Sequence, residues 1–401
     1  MAYEMAHEQL LCKQYRRVHD GENASQRVTL VAMMMWHTVT DKSIGTTGEQ
    51  CVNLMPTSTE IISFMVQGSG RVVREMLIEV YILIATLLVE LIDASLGDHS
   101  EVFINCLTKC SQQNACPSNV AHIAWIFERC FSCKYDCIWE TVKYFREVLH
   151  EDIPQFYGKW PFIAVRLPLF SIVPIQELAS VIFSIMNLHS VLKMYRAVRL
   201  LPNRSRMKAV WRIYSLIGLI VWICSALFHW ADFWLTEYMD YFSAFAIIVY
   251  TLFASISLSV PYLQRSAIGR LIWLILFVVL FSFYIKHIQN LWIRFDYGYN
   301  MQCCILFSLM TALIYGLWMI IEWRSRTSWG RRSIPFLALV VFGGLASILL
   351  EVFDFVPVFW LVDAHALFHL ATVPLPLFLI RFIQLENEYE MDRPAGTIKF
   401  A

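Results

Sequence analysis

The stretch RLIWLILFVVLFSFYI at residues 270–285 carries no charged side chain after its first residue. A helix needs about 20 mostly apolar residues to cross the hydrocarbon core of a bilayer, and this stretch reaches that length with its immediate neighbours. FLALVVFGGLASILL at 336–350 is uncharged throughout. Working outward from these two, we predict seven membrane spans, near residues 174–193, 210–230, 240–260, 268–286, 301–322, 335–353 and 364–384.

The composition agrees with a membrane protein. Of 401 residues, 58% are hydrophobic and 16% are charged, which is too apolar for an ordinary soluble domain. The spans are not core helices of a soluble protein, because no amphipathic segments are present to cover them. The formal net charge is zero, so bulk electrostatics predict no nucleic-acid partner. The predicted fold is an all-α membrane protein, a seven-transmembrane helix bundle.

The short loops predict the orientation of that bundle. Cytoplasmic loops are enriched in Lys and Arg, and one set of alternate loops here holds thirteen of them, whereas the opposite loops hold only Lys286 and Arg294. We therefore expect a lumenal or extracellular N-terminal region and a cytoplasmic C-terminus. The thirteen residues are Lys193, Arg196, Arg199, Arg204, Arg206, Lys208, Arg212, Arg265, Arg270, Arg324, Arg326, Arg331 and Arg332.

Cysteine placement fits this topology. Six of the eleven cysteines cluster before the first span, and an even set on the lumenal side is typical of three disulfides. Fifteen pairings are possible, and spacing does not choose among them. A zinc module is the alternative, because Cys130-x-x-Cys133 has ligand-like spacing. The six are Cys106, Cys110, Cys116, Cys130, Cys133 and Cys137.

The N-terminal third divides into three parts. MLIEVYILIATLLVELIDASLG, residues 76–97, resembles a signal peptide that begins internally. We therefore treat 1–75 as an N-terminal extension and hypothesise that translation starts at Met76; the alternative is an uncleaved span that gives eight crossings. Residues 98–165 form the predicted lumenal cysteine-rich region. The helix bundle then covers 166–386, and a cytoplasmic tail covers 387–401.

Five polar residues lie within or beside the predicted spans, where polar groups are costly and usually functional. Ser225 and His229 are four residues apart, as are His365 and His369, so each pair shares one helix face. Asp240 opens the third span. The predicted topology puts all five at the lumenal ends of their helices, which predicts that they meet at one depth.

Three imidazoles predict a zinc site. An i,i+4 pair can supply two nitrogens to one metal and a histidine from another helix the third, which leaves the fourth position open as in catalytic zinc sites. We predict His229, His365 and His369 as ligands of Zn²⁺. Asp240 is the predicted proton acceptor for an activated water, and Ser225 the predicted partner of that water or of a developing oxyanion. The alternative is a non-catalytic receptor or scaffold with a structural metal site.

The order of these motifs resembles a known family. Ser225-x3-His229-x10-Asp240, followed by His365-x3-His369, is similar to the signature of the membrane hydrolase superfamily of alkaline ceramidases and adiponectin-type receptors. The finer resemblance is to the Per1-like family of post-GPI-attachment phospholipases, and it covers roughly residues 98–390. It is carried by DCIWETV at 136–142, IPQFYGKWPF at 153–162, QELASVIFSIMNL at 176–188, SALFHWADFWLTEYMDYFSA at 225–244, RFDYGYNM at 294–301 and FWLVDAHALFH at 359–369.

The resemblance implies a function. Members of this family are expected to have seven spans and a lumenal cysteine-rich segment, and to remove the sn-2 acyl chain from the GPI lipid of anchored proteins. His229, His365 and His369 fall on the superfamily's zinc ligands, and Ser225 and Asp240 on its polar partners. The implied location is the Golgi membrane, with the endoplasmic reticulum as the alternative. A ceramidase-like amide hydrolase is the second function that the superfamily implies.

Overall fold

The computed structural model describes residues 96–166, 173–324, 331–352 and 354–392. The predicted extension 1–75 and the signal-like segment up to residue 95 lie outside the described residues, so neither prediction is tested. Among the described residues the secondary structure is helical, with only isolated β-bridges between loop residues.

The cysteine-rich region is a helical hairpin. Helix α1 (Glu101–Asn114) begins at Ser100, whose hydroxyl accepts a hydrogen bond from the Phe103 amide, and it ends where Ala115 adopts a left-handed conformation. A 3-10 turn (Ile123–Ile126) leads into α2 (Glu128–Tyr144). The buried side chain of Phe103 packs with Cys137 and Val142 of α2. The two helices therefore share a small core of their own.

Three disulfides cross this hairpin, as predicted. They join Cys106 to Cys137, Cys110 to Cys133 and Cys116 to Cys130. The pairing is nested, because residues on α1 and α2 that lie progressively nearer the connecting loop face each other. The zinc-module alternative is wrong, since both cysteines of the Cys130-x-x-Cys133 motif are in disulfides.

The nested pairing can be checked by chemistry. Mass spectrometry of non-reduced proteolytic peptides, with stepwise reduction and alkylation, should find Cys106 linked to Cys137 and the other two bridges inside that loop. The reason is geometric, because each pair has a Cα–Cα separation of 5.7 Å, within the range that a disulfide spans. A bridge from Cys106 to any other cysteine would contradict this hairpin.

Six candidate membrane spans follow the hairpin. The helices are α3 (Leu178–Arg199), α4 (Lys208–Trp230), α5 (Trp234–Ser259), α6 (Ala267–Ile293), α7 (Tyr297–Arg324), α8 (Ile334–Val352), α9 (Ala364–Thr372) and α10 (Leu375–Asp392). Those long and apolar enough to cross a membrane are α3 to α7 and the unit Ala364–Met391, which combines α9 with α10. The sixth predicted span lies at α8, whose apolar part Ile334–Leu350 is shorter. The protein is thus a multi-pass helical membrane protein with six spans of this length among the described residues.

The helices close into a ring. Helix α3 packs against α4 on one side and against α9 and α10 on the other, while α4–α5, α5–α7, α7–α8 and α8–α10 complete the circuit. Helix α6 packs on the outside against α5, and most of its apolar side chains are exposed, as expected of a helix that faces lipid. The main apolar core, which includes Met194, Trp211 and Phe382, fills the ring at the end of the basic loops. The opposite end is left for polar residues.

The last span is broken, where a continuous helix was expected. Pro374 has no amide proton to donate to Leu370, so the helix cannot continue through it. The Val373 amide donates to the Leu370 carbonyl in a tighter turn, which leaves the His369 carbonyl without its usual helical donor. Asn187 Nδ2 of α3 donates to that carbonyl at 2.7 Å, and the Thr372 hydroxyl donates to it at 2.8 Å. The break therefore ties α9 to α3 at the residue that carries one of the predicted ligands.

Candidate metal centre

The three predicted histidine ligands meet inside the bundle. His229 lies at the end of α4, and His365 and His369 lie on one face of α9. The Nε2 atoms of His365 and His229 are 3.3 Å apart, and those of His369 and His365 are 2.8 Å apart. His229 and His369 are buried and His365 is half-buried. The predicted convergence of residues separated by 136 positions is therefore present.

The geometry and chemistry of this group fit a zinc ion. Nitrogens about 2.1 Å from a tetrahedral zinc lie roughly 3.4 Å from one another, which is close to the 3.3 Å between His365 and His229, while the 2.8 Å between His369 and His365 is shorter. All three histidines offer one ring nitrogen within 4.8 Å of the others. The Nδ1 atoms of His229 and His369 are engaged elsewhere, so Nε2 is the nitrogen of each ring that faces the common point.

Glu177 determines the orientation of His229. Its Oε2 lies 2.6 Å from His229 Nδ1, and because a carboxylate only accepts hydrogen bonds, Nδ1 must be the protonated nitrogen. In the neutral ring, Nε2 then carries no proton and is available to a metal. Histidine ligands usually have such a carboxylate partner, which fixes the tautomer and increases the basicity of the ring.

Lys159 balances the charge of Glu177. Its ammonium lies 2.7 Å from Glu177 Oε1 and 3.0 Å from Asp232 Oδ2, and 3.8 Å from the centre of the Phe228 ring. Burial opposes the ionisation of Glu177, yet Lys159 and His229 hold the pKa of that carboxyl well below its ordinary value. Burial also opposes the charge of Lys159, but Asp232 and Glu177 raise the pKa of Lys159 above its ordinary value. The pair is therefore ionised at neutral pH.

His369 is held by residues of α3. Ser184 Oγ lies 3.2 Å from His369 Nδ1 and 3.1 Å from Ser225 Oγ, and all three side chains are buried. Ser225 thus lies beside the site as predicted, with its hydroxyl on the Nδ1 side of His369. Asp240 is half-buried, and its carboxylate interacts electrostatically with His229 and His365. The five predicted residues are thus brought to one end of the bundle, and their catalytic roles remain predictions.

Sequence reasoning missed two polar residues of α3, the glutamate that precedes this helix and a lysine. Glu177, Ser184 and Asn187 are spaced seven and three apart, which is the spacing of one helix face. That pattern lies inside the apolar segment QELASVIFSIMNL, so it could have been found from the sequence. Lys159 could not be found this way, because it lies in a loop far from the site in sequence.

The fold and the site together define a class: a multi-pass helical membrane protein with three histidines gathered inside its bundle. The chain belongs to the Per1-like family, whose model matches residues 120–386. This confirms the resemblance inferred from the motifs.

Curated relatives extend the comparison. A Mus musculus protein named GPI-specific phospholipase A2-like PGAP3 is 32% identical over 335 residues, covering 79% of this chain and 97% of its own. The Schizosaccharomyces pombe protein PER1 homolog is 31% identical, with 77% and 91% covered. A Drosophila melanogaster protein named post-GPI attachment to proteins factor 3 is 33% identical, with 70% and 86% covered. No solved structure matches the chain.

The role of Glu177 can be measured through metal affinity. Glu177→Gln should lower zinc affinity by about 10- to 100-fold, because loss of a carboxylate partner weakens a histidine ligand by that order. Competition with a zinc-binding dye on the purified full chain measures this. Glu237→Gln is the matched control: Glu237 lies at the same end of the bundle but accepts a hydrogen bond from the Tyr297 hydroxyl. Equal affinities of the two variants would contradict the assignment.

Proposed function

We propose that this protein remodels the lipid of GPI-anchored proteins by zinc-dependent hydrolysis of the sn-2 acyl ester, a reaction of the phospholipase A2 type. The convergence of three histidine nitrogens inside a membrane-embedded bundle carries the proposal. The substrate class is supported by family membership and by the names of the relatives, which are GPI-specific phospholipase A2-like proteins and a post-GPI attachment factor.

The position of the site suits a lipid ester. His229 ends α4 and His365 opens α9, so both lie at the helix ends opposite the basic loops. With the basic loops in the cytoplasm and the shorter helix α8 taken as a seventh crossing, that end is lumenal. GPI lipids of anchored proteins are displayed in the lumenal leaflet. An ester at the polar boundary of that leaflet can reach the histidines without leaving the membrane.

The proposed chemistry divides roles among the residues. A bound zinc ion supplies Lewis acidity, polarising an ester carbonyl and making a water molecule acidic enough to ionise near pH 7. Asp240 accepts the proton of the attacking water and later returns it to the departing alkoxide. Glu177 keeps His229 in the ligand tautomer. Ser225 acts through Ser184 on His369, and the oxyanion contact predicted for it requires its hydroxyl to rotate away from Ser184.

Two alternative functions would use the same three histidines differently. A ceramidase-like enzyme would hydrolyse an amide with the same residues, but the names of the mouse and Drosophila relatives favour a GPI lipid. A receptor or scaffold would bind metal without turnover. The proposed location is a Golgi membrane, with the endoplasmic reticulum as the alternative.

His369→Ala should abolish both metal binding and remodelling. Removing one of three ligands leaves a two-histidine site with much lower zinc affinity. In cells that lack this protein, lipid mass spectrometry of GPI-anchored proteins should show the sn-2 acyl chain retained after rescue with His369→Ala and removed after rescue with wild type. His189→Ala, an exposed histidine on α3, is the control. Normal remodelling by His369→Ala would sink the metallohydrolase proposal.

Asp240→Asn separates catalysis from metal binding. The amide cannot accept a proton as the carboxylate does, so turnover should fall by about 10²- to 10⁴-fold. The zinc content of the purified protein should stay at the wild-type level. Turnover measured with the wild-type protein also separates the alternative functions. An amide hydrolase would cleave ceramide instead of the GPI ester, and a receptor would cleave neither substrate. Full activity of Asp240→Asn would mean that Asp240 has no part in proton transfer.

A further inference from the structure

A cleft opens between the cysteine-rich hairpin and the bundle. Its walls include Trp125 and Lys134 from the hairpin, Tyr157 and Lys159 from the following loop, and Glu177 and Asp232 from the bundle. Glu177 belongs also to the metal centre, where it contacts His229. The cleft therefore shares a wall with the candidate site and lies on its hairpin side.

Lys134 is the cation of this cleft that lacks a counter-ion. Its ammonium lies 5.0 Å from the centre of the Tyr157 ring, and no salt bridge joins it to a carboxylate among the residues that the structure describes. Burial lowers the pKa of Lys134 and the charge of Lys159 adds to this effect, whereas the charges of Asp232, Glu237 and Asp98 counter it only in part. A half-buried ammonium without a close anion is costly, unless it serves a ligand.

The other cation of the cleft, Lys159, is already paired. Lys159 lies between Glu177 and Asp232, within 3.0 Å of both. These two carboxylates leave no positive charge on Lys159 for a further anion. An anionic ligand would therefore bind on the Lys134 side of the cleft, where no carboxylate of the described residues is in salt-bridge contact with the cation.

Lys134 is held rigidly. On its own helix it follows Cys133 directly and precedes Cys137 by three residues, and both cysteines are in disulfides with α1. The ring that faces it belongs to Tyr157, whose backbone is left-handed with φ of 53° and whose amide donates to Asp98 at 2.9 Å. Such backbone conformations in non-glycine residues persist only where the surroundings impose them. The backbone positions that carry the ammonium and the ring are thus both constrained.

The size of the cleft limits the occupant. Its volume is about 70 Å³, which suits a compact group. We propose that the cleft binds the phosphate of a phosphoinositol lipid headgroup, with Lys134 as its cation. This proposal rests on the proposed function. The phosphate and the sn-2 ester are bonded to the same glycerol, so a phosphate bound in the cleft brings the ester toward the histidines on the other side of Glu177.

Binding can be measured without catalysis. The full-length protein carrying His369→Ala, which should not hydrolyse the lipid, is titrated with dioctanoyl-phosphatidylinositol. Dioctanoylglycerol, which has no phosphate, and inorganic phosphate serve as comparison ligands. Phosphatidylinositol should bind more tightly than dioctanoylglycerol, and more weakly as salt rises. Adding Lys134→Gln should weaken phosphatidylinositol binding about 10- to 100-fold, as expected for loss of a charged hydrogen bond.

Two further variants make the result decisive. Lys134→Arg should keep binding within about threefold, which would show that Lys134→Gln acts through charge and not through misfolding. Lys143→Gln is the control, because Lys143 is an exposed lysine of the same helix paired with Glu147. Unchanged binding by Lys134→Gln, equal binding of dioctanoylglycerol, or binding of inorganic phosphate alone would each overturn the headgroup assignment.

The outcome is separable from that of the proposed function. Phosphatidylinositol binding through Lys134, in a protein whose wild type leaves GPI acyl chains intact, would support the cleft and contradict the hydrolase. If the wild type removes GPI acyl chains and Lys134→Gln changes neither this activity nor lipid binding, the hydrolase would be supported and the headgroup site contradicted.

Discussion

The hydrogen bond between Glu177 and His229 is the interaction on which the arrangement depends. A buried carboxylate is tolerated only when its charge is offset and its oxygens are bonded. Here one oxygen binds the ring of His229 and the other binds Lys159. Lys159 comes from the loop that follows the cysteine-rich hairpin, whereas His229 ends a helix of the bundle. The Glu177 carboxylate thus joins the metal centre to the loop that carries Lys159. If either the loop or the helix that carries His229 moved away, a buried charge would be left unpaired.

The second support of the site comes from a proline. Because Pro374 interrupts the last span, the His369 carbonyl loses its helical donor and takes the Asn187 amide instead. Helix α9 can therefore begin at its own N-cap, where the Asp363 carboxylate accepts the Ala366 amide at 2.7 Å, and meet α3 independently of α10. In a continuous helix the orientation of His365 and His369 would be set by packing along the whole span. The break confines that requirement to nine residues.

Much of the site could be predicted because its spacings are local. The two i,i+4 pairs, together with the loop charges, were enough to place His229 beside His365 and His369 at one depth. Glu177, Ser184 and Asn187 were overlooked. A polar residue in an apolar segment lowers the hydrophobicity of the predicted span, but it does not show which residue the polar side chain contacts. Lys159 and the cysteine pairing depend on how the hairpin docks and on its register, which no local pattern encodes. The break at Pro374 was readable from the missing amide, yet a run of apolar residues favoured one continuous helix.

The nested disulfides have a consequence for how this hairpin matures. The bridges join cysteines 14, 23 and 31 positions apart, and the entropic cost of closing a loop rises with its length. Once the Cys116–Cys130 bridge has formed at the tip, the next pair closes a loop that is already shortened, and so does the last. The disulfides therefore form most easily in order from the tip of the hairpin toward the bundle. The backbone around Lys134 is constrained only after the two outer disulfides, Cys110–Cys133 and Cys106–Cys137, have formed.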